Sequence, residues 1–392
     1  MESITRKSAL WPTSLAIFAM FFGAGNIVFP LALGQFTQDK NFYGVVGLII
    51  TSILVPMTGL MAMLLYNGDY TSFFRRIGKI PGFIVTLLIL GIIGPFGGIP
   101  RCITISYSTL TACNFGPLNW INLFSFALLN GLLIFLFTFR PNKILTLLGY
   151  VLTPLLLLSL VIIVVKGLFL MPSADSSMHT RWQTFSEGLL NGYHTMDLLA
   201  AFFFSSVVLL CLNKQEAGSD SAAPRFLSVA IAGSLIAATM LATFYVGFSY
   251  LASGYSGILE SVPGHQMLGA LAYELLGPYA GTVASLAVSF ACLTTEIALT
   301  AIIAEFLSKT LFQEKLSYKS AVLITVFVSF LISLFNFDGI TAFLGPILQI
   351  CYPALIVLSV LNIIYKVYNF RPVKRLFYGT ILLTLISRFV LS

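Results

Sequence analysis

This sequence is short of charge. Only 9% of its 392 residues are Asp, Glu, Lys or Arg, against about 25% in a soluble domain whose surface must face water. So sparse a set cannot coat a globule of 42.8 kDa, and most of the surface must face lipid. Histidine is scarcer still. His179, His194 and His265 are scattered, and no paired aspartates or Ser/His pair joins them within an apolar run, so an intramembrane enzyme finds little support. Cysteine is limited to Cys102, Cys113, Cys211, Cys292 and Cys351, all in or beside apolar segments without paired spacing. They read as buried thiols, neither disulfides nor a metal site. Two membrane architectures are also unsupported: the short alternating segments of a β-barrel are missing, and so are the charge rings or filter loop of a channel. The net charge of +7 implies no nucleic-acid partner, because the basic residues sit in short turns between apolar runs.

What is there is long hydrophobic runs, from end to end. Each run of about 20 apolar residues can cross the hydrocarbon core as a helix. Hydropathy places eleven spans near 12–35, 42–65, 82–112, 119–138, 143–166, 187–212, 225–251, 279–308, 319–336, 340–365 and 374–391. Arg6 and Lys7 precede the first as in a signal peptide, but the run continues to Leu33 without a small-residue cleavage site, so a retained span is expected. With the N-terminus inside, sixteen basic residues fall on the inner side and four (Lys40, Lys166, Arg181, Arg388) outside, with Arg101 left within a span. That asymmetry fixes the direction and puts the C-terminus outside. The long connections, 167–186 and 252–278, face outward, and neither is large enough for a second domain, so 1–392 reads as one membrane domain.

Several spans break the rule that an anchoring helix avoids glycine, proline and charge. The first contains Phe22-Gly23-Ala24-Gly25-Asn26 and then Pro30. Two glycines and a proline predict unwinding halfway across, which is tolerated only where backbone is buried in protein or lines a cavity. A small-residue packing face is the alternative reading of Gly23 and Gly25; Asn26 beside them favours a site. The sixth carries Gly188 and Asn191-Gly192-Tyr193-His194-Thr195-Met196-Asp197. Spans one and six correspond in two five-helix halves, 12–166 and 187–365, with 374–391 as an additional span. An odd number of spans inverts the second half, and matched interruptions in inverted halves point to a transporter's binding site. The third span is interrupted at Gly94-Pro95-Phe96-Gly97-Gly98-Ile99-Pro100, just before Arg101.

An ionisable group at depth needs a reason, since it costs about 2.5–3.5 kcal/mol on insertion scales. Asp197 orients unwound backbone or sits by a substrate amino group or a cation; otherwise it lies close to the outer surface. Glu296 serves coupling-ion chemistry or pairs with Arg101 or another polar group. Arg101 itself could snorkel to the outer interface. His194 reads more simply as a hydrogen-bonded structural residue than as a proton relay. Thr294 and Thr295 offer hydroxyl oxygens suited to a hard monovalent cation, although threonines also bond their own helix backbone.

Four separated motifs then resemble one family. Ser14 through Met20 into Phe21-Phe22-Gly23-Ala24-Gly25-Asn26-Ile27-Val28-Phe29-Pro30 is similar to the opening span of the bacterial branched-chain amino acid:cation symporters. Gly94 to Arg101 and on to Ser106-Tyr107 resembles their third, Gly192 to Asp197 their sixth, and Ala291-Cys292-Leu293-Thr294-Thr295 to Glu305 their eighth. The resemblance implies an all-α integral membrane bundle of the leucine-transporter type, with five-plus-five inverted repeats. It also implies import of leucine, isoleucine or valine with sodium or protons across the bacterial cytoplasmic (inner) membrane, with no further cofactor. Gly23, Ala24, Gly25 and Asn26 would hold substrate, the carboxylate on the N–H groups of Ala24 and Gly25, with Tyr107, Thr195 and Asp197 completing the site. A sodium ion would lie on the carbonyls of Ala19, Phe22 and Ala291 and the hydroxyls of Thr294 and Thr295. Two departures stand out: Glu296 replaces a small residue usual in the family, and eleven spans are read where twelve are usual.

Overall fold

The computed structural model describes residues 2–23, 25–112, 122–139, 144–215, 222–369 and 372–391. Among them no strand occurs and helices dominate, as hydrocarbon demands of segments that must satisfy their own peptide groups. In chain order the helices are α1 (Glu2–Phe21), α2 (Gly25–Thr37), α3 (Asn41–Ile49), α4 (Val55–Leu64), α5 (Tyr70–Phe74), α6 (Lys79–Ile93), α7 (Gly98–Ala112), α8 (Leu123–Thr138) and α9 (Ile144–Phe169). They continue as α10 (Arg181–His194), α11 (Asp197–Gln215), α12 (Ala222–Gly254), α13 (Ser256–Leu259), α14 (Met267–Glu305), α15 (Tyr318–Ser333), α16 (Asn336–Tyr368) and α17 (Val373–Leu391). Counting α1/α2, α3/α4, α6/α7 and α10/α11 as single interrupted rods, and setting aside the short α5 and α13, the described residues form eleven rods. Among the described residues, by length and hydropathy alone, five continuous segments can cross a bilayer: 25–64, 79–112, 229–254, 264–311 and 336–368.

The rods sort into two groups. α1 and α2 pack on α12, α3 on α10, and α4 on α11, which joins rods one, two, six and seven. α7 packs on α14, α8 and α15, and α8 on both α14 and α15, which joins rods three, four, eight and nine. α9 leans on α12 and α14, while α16 reaches α4, α7, α10 and α17. Outward faces stay apolar: Phe124, Leu128, Leu132 and Leu136 on α8 are exposed, as are Ile80, Ile84 and Leu87 on α6. Several helix starts are capped by side chains that satisfy orphan donors. Asn122 accepts from the Ser125 N–H at 2.9 Å. Thr180 and Gln183 form a reciprocal capping box at the start of α10.

One connection gains structure, and one expected interruption is narrower than its glycines suggest. The stretch 252–278 is largely helical: α12 runs to Gly254, α13 follows, and α14 starts at Met267, bending at Gly277, where φ is +77°. Gly188 and Gly192 do not belong to a break. They lie within α10 and form a seam with Gly44 and Gly47 of α3. A Cβ at Gly188 would come 2.0 Å from the Gly44 carbonyl oxygen, and one at Gly192 would come 1.9 Å from Thr51 Oγ1. Here the glycines bring two helices together instead of unwinding one.

Candidate functional site

Rod one does come apart in mid-course. α1 ends at Phe21 and α2 begins at Gly25, with Phe22 and Gly23 between them; Ala24 lies outside the described residues. The Phe22 N–H still bonds the Phe18 carbonyl at 2.8 Å, and the Asn26 N–H reaches back to Gly23 O at 3.1 Å. The first-turn N–H groups of α2 have no intrahelical acceptor, which makes that end receptive to an anion. Rod six is interrupted more narrowly than the sequence suggested, at Thr195–Met196 alone. Met196 takes φ +61°, a left-handed conformation that costs a residue with a Cβ about 1–3 kcal/mol and that tends to cluster at functional sites. The freed carbonyls ending α10 find donors: Thr195 Oγ1 donates to Gly192 O at 2.9 Å, and the Met196 N–H to Tyr193 O at 3.1 Å.

The two breaks face each other. A Cβ on Gly25 would lie in van der Waals contact with the Thr195 Cα, at 3.6 Å, so the two interruptions are separated by little more than the side chain that glycine lacks. Asn26 Nδ2 donates to both carboxylate oxygens of Asp197, at 3.1 and 3.0 Å. It also contacts the hydroxyl of Tyr245 on α12, which in turn donates to Asp197 Oδ2 at 2.9 Å. All three residues are buried. Asp197 is thus tied to the interrupted rods and closed to solvent, in keeping with its reading as a group that orients the unwound backbone. The carboxylate belongs to the first turn of α11, where the helix dipole favours it. Tyr245 gave no signal in the sequence, being one aromatic among many in an apolar run.

Arg101 also departs from expectation. It is 2% exposed, so it does not snorkel. It does not pair with Glu296 either: one Nη donates to the His194 carbonyl at 2.9 Å, and the other lies 3.5 Å from His194 Nδ1. Its charge thus sits at the C-terminal end of α10, where exposed carbonyls favour a cation. The guanidinium carbon is 5.3 Å from the ring centre of Phe29 and 5.8 Å from that of Phe337. Phe29 stacks on His194 with ring centres 5.2 Å apart, and His265 packs on Phe337 at 5.5 Å. These rings form an aromatic layer over Arg101.

On α14, Thr294 and Thr295 both donate to the Ala291 carbonyl, at 2.8 and 3.1 Å. Glu296 is fully buried; Asn130 of α8 donates to its Oε2 at 3.0 Å. Its polar partner is therefore Asn130. Ala19 is exposed and Phe22 buried, and the α1 that carries Ala19 packs on α11 and α12. The ring of Tyr107 packs against Phe126 of α8, with centres 5.5 Å apart. Away from both breaks, a cavity of about 630 Å³ is lined by Tyr66, Asn67, Asp69, Ser72, Arg75, Arg76 and Lys366. Its basic residues belong to the set that charge asymmetry assigns to the inner side, and it contains none of the groups at the breaks.

Two interrupted rods meeting at a buried polar cluster inside a helical bundle define a membrane transporter of the leucine-transporter fold. Known structures agree. The chain is similar to the inward-facing conformation of Mhp1, with a TM-score of 0.66 at 14% identity, over 90% of this chain and 76% of that one. It is also similar to a manganese transporter of Eremococcus coleocola, with a TM-score of 0.54 at 16% identity, over 96% and 85%. Residues 6–390 match the model of the family described as branched-chain amino acid transport protein, and the chain belongs to that family. Among curated relatives, it is 31% identical over 360 residues to the branched-chain amino acid permease BraB of Bacillus subtilis (strain 168), covering 91% of this chain and 80% of that protein. It is 30% identical over 385 residues to a putative branched-chain amino acid carrier protein of Staphylococcus epidermidis (strain ATCC 12228), covering 93% and 83%. The relatives are transport proteins, not enzymes, and the chain is a multi-pass integral membrane protein.

Proposed function

We propose that this protein is a secondary active symporter that imports leucine, isoleucine or valine together with sodium across a bacterial cytoplasmic (inner) membrane by alternating access. The observation that carries the reading is the contact of the two helix breaks, with Asn26, Asp197 and Tyr245 locking rods one, six and seven together. Broken helices at this depth expose peptide groups that suit both ends of a zwitterion. Substrate engages Gly23, Ala24, Gly25 and Asn26 on one side and Thr195 and Asp197 on the other, with Tyr107 along the route. The two halves, 12–166 and 187–365, act as inverted repeats of one domain, with 374–391 outside the transport core.

Sodium is the coupling ion in this reading. It lies on the carbonyls of Ala19, Phe22 and Ala291 and the hydroxyls of Thr294 and Thr295, an all-oxygen set suited to a hard cation. The hydroxyls that now donate to Ala291 turn toward the ion when α1 approaches α14. The second reading, proton coupling, is favoured by one observation: Glu296 is buried directly beside Thr295, with Asn130 as its hydrogen-bond partner. Leucine uptake into proteoliposomes, with sodium and pH gradients imposed separately, separates the two. Sodium-stimulated uptake that Thr294→Val with Thr295→Val abolishes is the expected result. Uptake driven by pH alone and indifferent to that pair would replace sodium with protons.

A further inference from the structure

Among the described residues Arg101 is the only buried lysine or arginine, and no carboxylate lies within ion-pair distance of it. A guanidinium carries five N–H donors. Here its hydrogen-bonding contacts are to a single residue, His194, and Nε has no acceptor. The Phe29 and Phe337 rings at 5.3 and 5.8 Å supply weak compensation. A buried charge without a counter-charge is costly enough that intramembrane cations normally face a partner or a pathway. The question is which anion completes this one.

Its position answers. His194 is the last residue of α10, immediately before the Thr195–Met196 interruption, and Phe29 lies one turn beyond Asn26 on α2. Arg101 therefore touches both broken rods. Asp197 follows the same interruption and is committed to Asn26 and Tyr245. Tyr352 of α16 lies within electrostatic reach of both Arg101 and Asp197. Two buried charges of opposite sign thus border one interruption without pairing with each other. A transported amino acid brings one charge of each sign, on two groups bonded to the same α-carbon.

We infer that Arg101 is the anchor for the substrate's carboxylate, its free N–H edge adding a charged partner to the peptide N–H groups at the start of α2. The inference rests on the transport function proposed above. Arginine's planar fork suits a carboxylate in a way that lysine's point charge does not. Chloride offers the same negative charge from another source, and the experiment separates the two.

The test uses the full chain in proteoliposomes, comparing leucine with leucinamide, which keeps the side chain and amino group but lacks the negative carboxylate. The wild-type protein must first take up leucine; failure there overturns the proposed function and never reaches Arg101. In Arg101→Gln the KM for leucine rises by about 10- to 100-fold, as expected for loss of a charge-assisted pair. The inhibition constant for leucinamide stays where it was, and Arg101→Lys restores part of the loss. Should Arg101→Gln fail to fold, the leucine-to-leucinamide preference of Arg101→Lys is read instead, and it must fall below that of the wild type. Equal weakening of both ligands would assign Arg101 a packing role and overturn the inference, as would an unchanged preference. Replacing chloride with gluconate leaves wild-type uptake unchanged; uptake that collapses, with the preference insensitive to Arg101→Gln, would make chloride the anion and overturn it as well.

Discussion

Asp197 accepts hydrogen bonds from two other rods, so a change there acts on the joint between them. Asp197→Asn keeps the shape but places an amide where Asn26 and Tyr245 both donate, and sodium-dependent leucine uptake should fall at least tenfold, a loss of about 1.4 kcal/mol or more. Tyr245→Phe removes one donor and leaves the carboxylate held by Asn26; stability should drop by about 1–3 kcal/mol, read as an earlier thermal transition in detergent. Glu296 offers a contrast. Glu296→Gln retains an oxygen for Asn130 to donate to, and at least half of the sodium-driven uptake should survive, whereas Glu296→Leu strands a buried amide and should lower thermal stability. A pH profile flattened in Glu296→Gln would instead favour proton coupling. Asn26 and Asp197 were visible in the sequence, because a polar group in an apolar run demands a partner. Tyr245 and Asn130 stood in no interrupted span that would single them out, and only the packing of distant rods supplies their partners, 48 and 166 residues away.

At the scale of elements, glycine is the ambiguous letter. The same residue marks an unwound segment at Gly23 and a helix-to-helix seam at Gly192, and local sequence does not distinguish them. Space does. Among the described residues a Cβ at Gly23 would meet only Asn26 Oδ1, at 3.9 Å, whereas one at Gly192 would overlap Thr51. Gly192→Ala should therefore lower the thermal transition, with overpacking costing about 1–3 kcal/mol, while Gly23→Ala should leave it within a degree or two of wild type, about the shift expected of a change under 0.5 kcal/mol. Both are measured on the purified protein by dye-based melting. Met196 carries the local strain of rod six, at φ +61°. Nothing in its side chain announces that, because the packing of α10 on α3 and of α11 on α4 decides where the chain must turn.

For the whole molecule, the asymmetry of basic residues makes a directional claim. In a variant without the five native cysteines, Arg181→Cys should react with a membrane-impermeant maleimide in right-side-out vesicles, and Lys366→Cys only after permeabilisation. The opposite pattern would invert the orientation. Sequence alone determined the helical class, the eleven rods and the general position of two matched interruptions. Those follow from the cost of burying charge and unpaired peptide groups in hydrocarbon, which each segment must meet by itself. Only the tertiary structure decided that Arg101 is buried against His194, that Glu296 belongs to Asn130, and that Tyr245 joins Asn26 to Asp197. These are contacts between rods, and the packing that makes them depends on where distant segments meet, which no single segment's composition encodes.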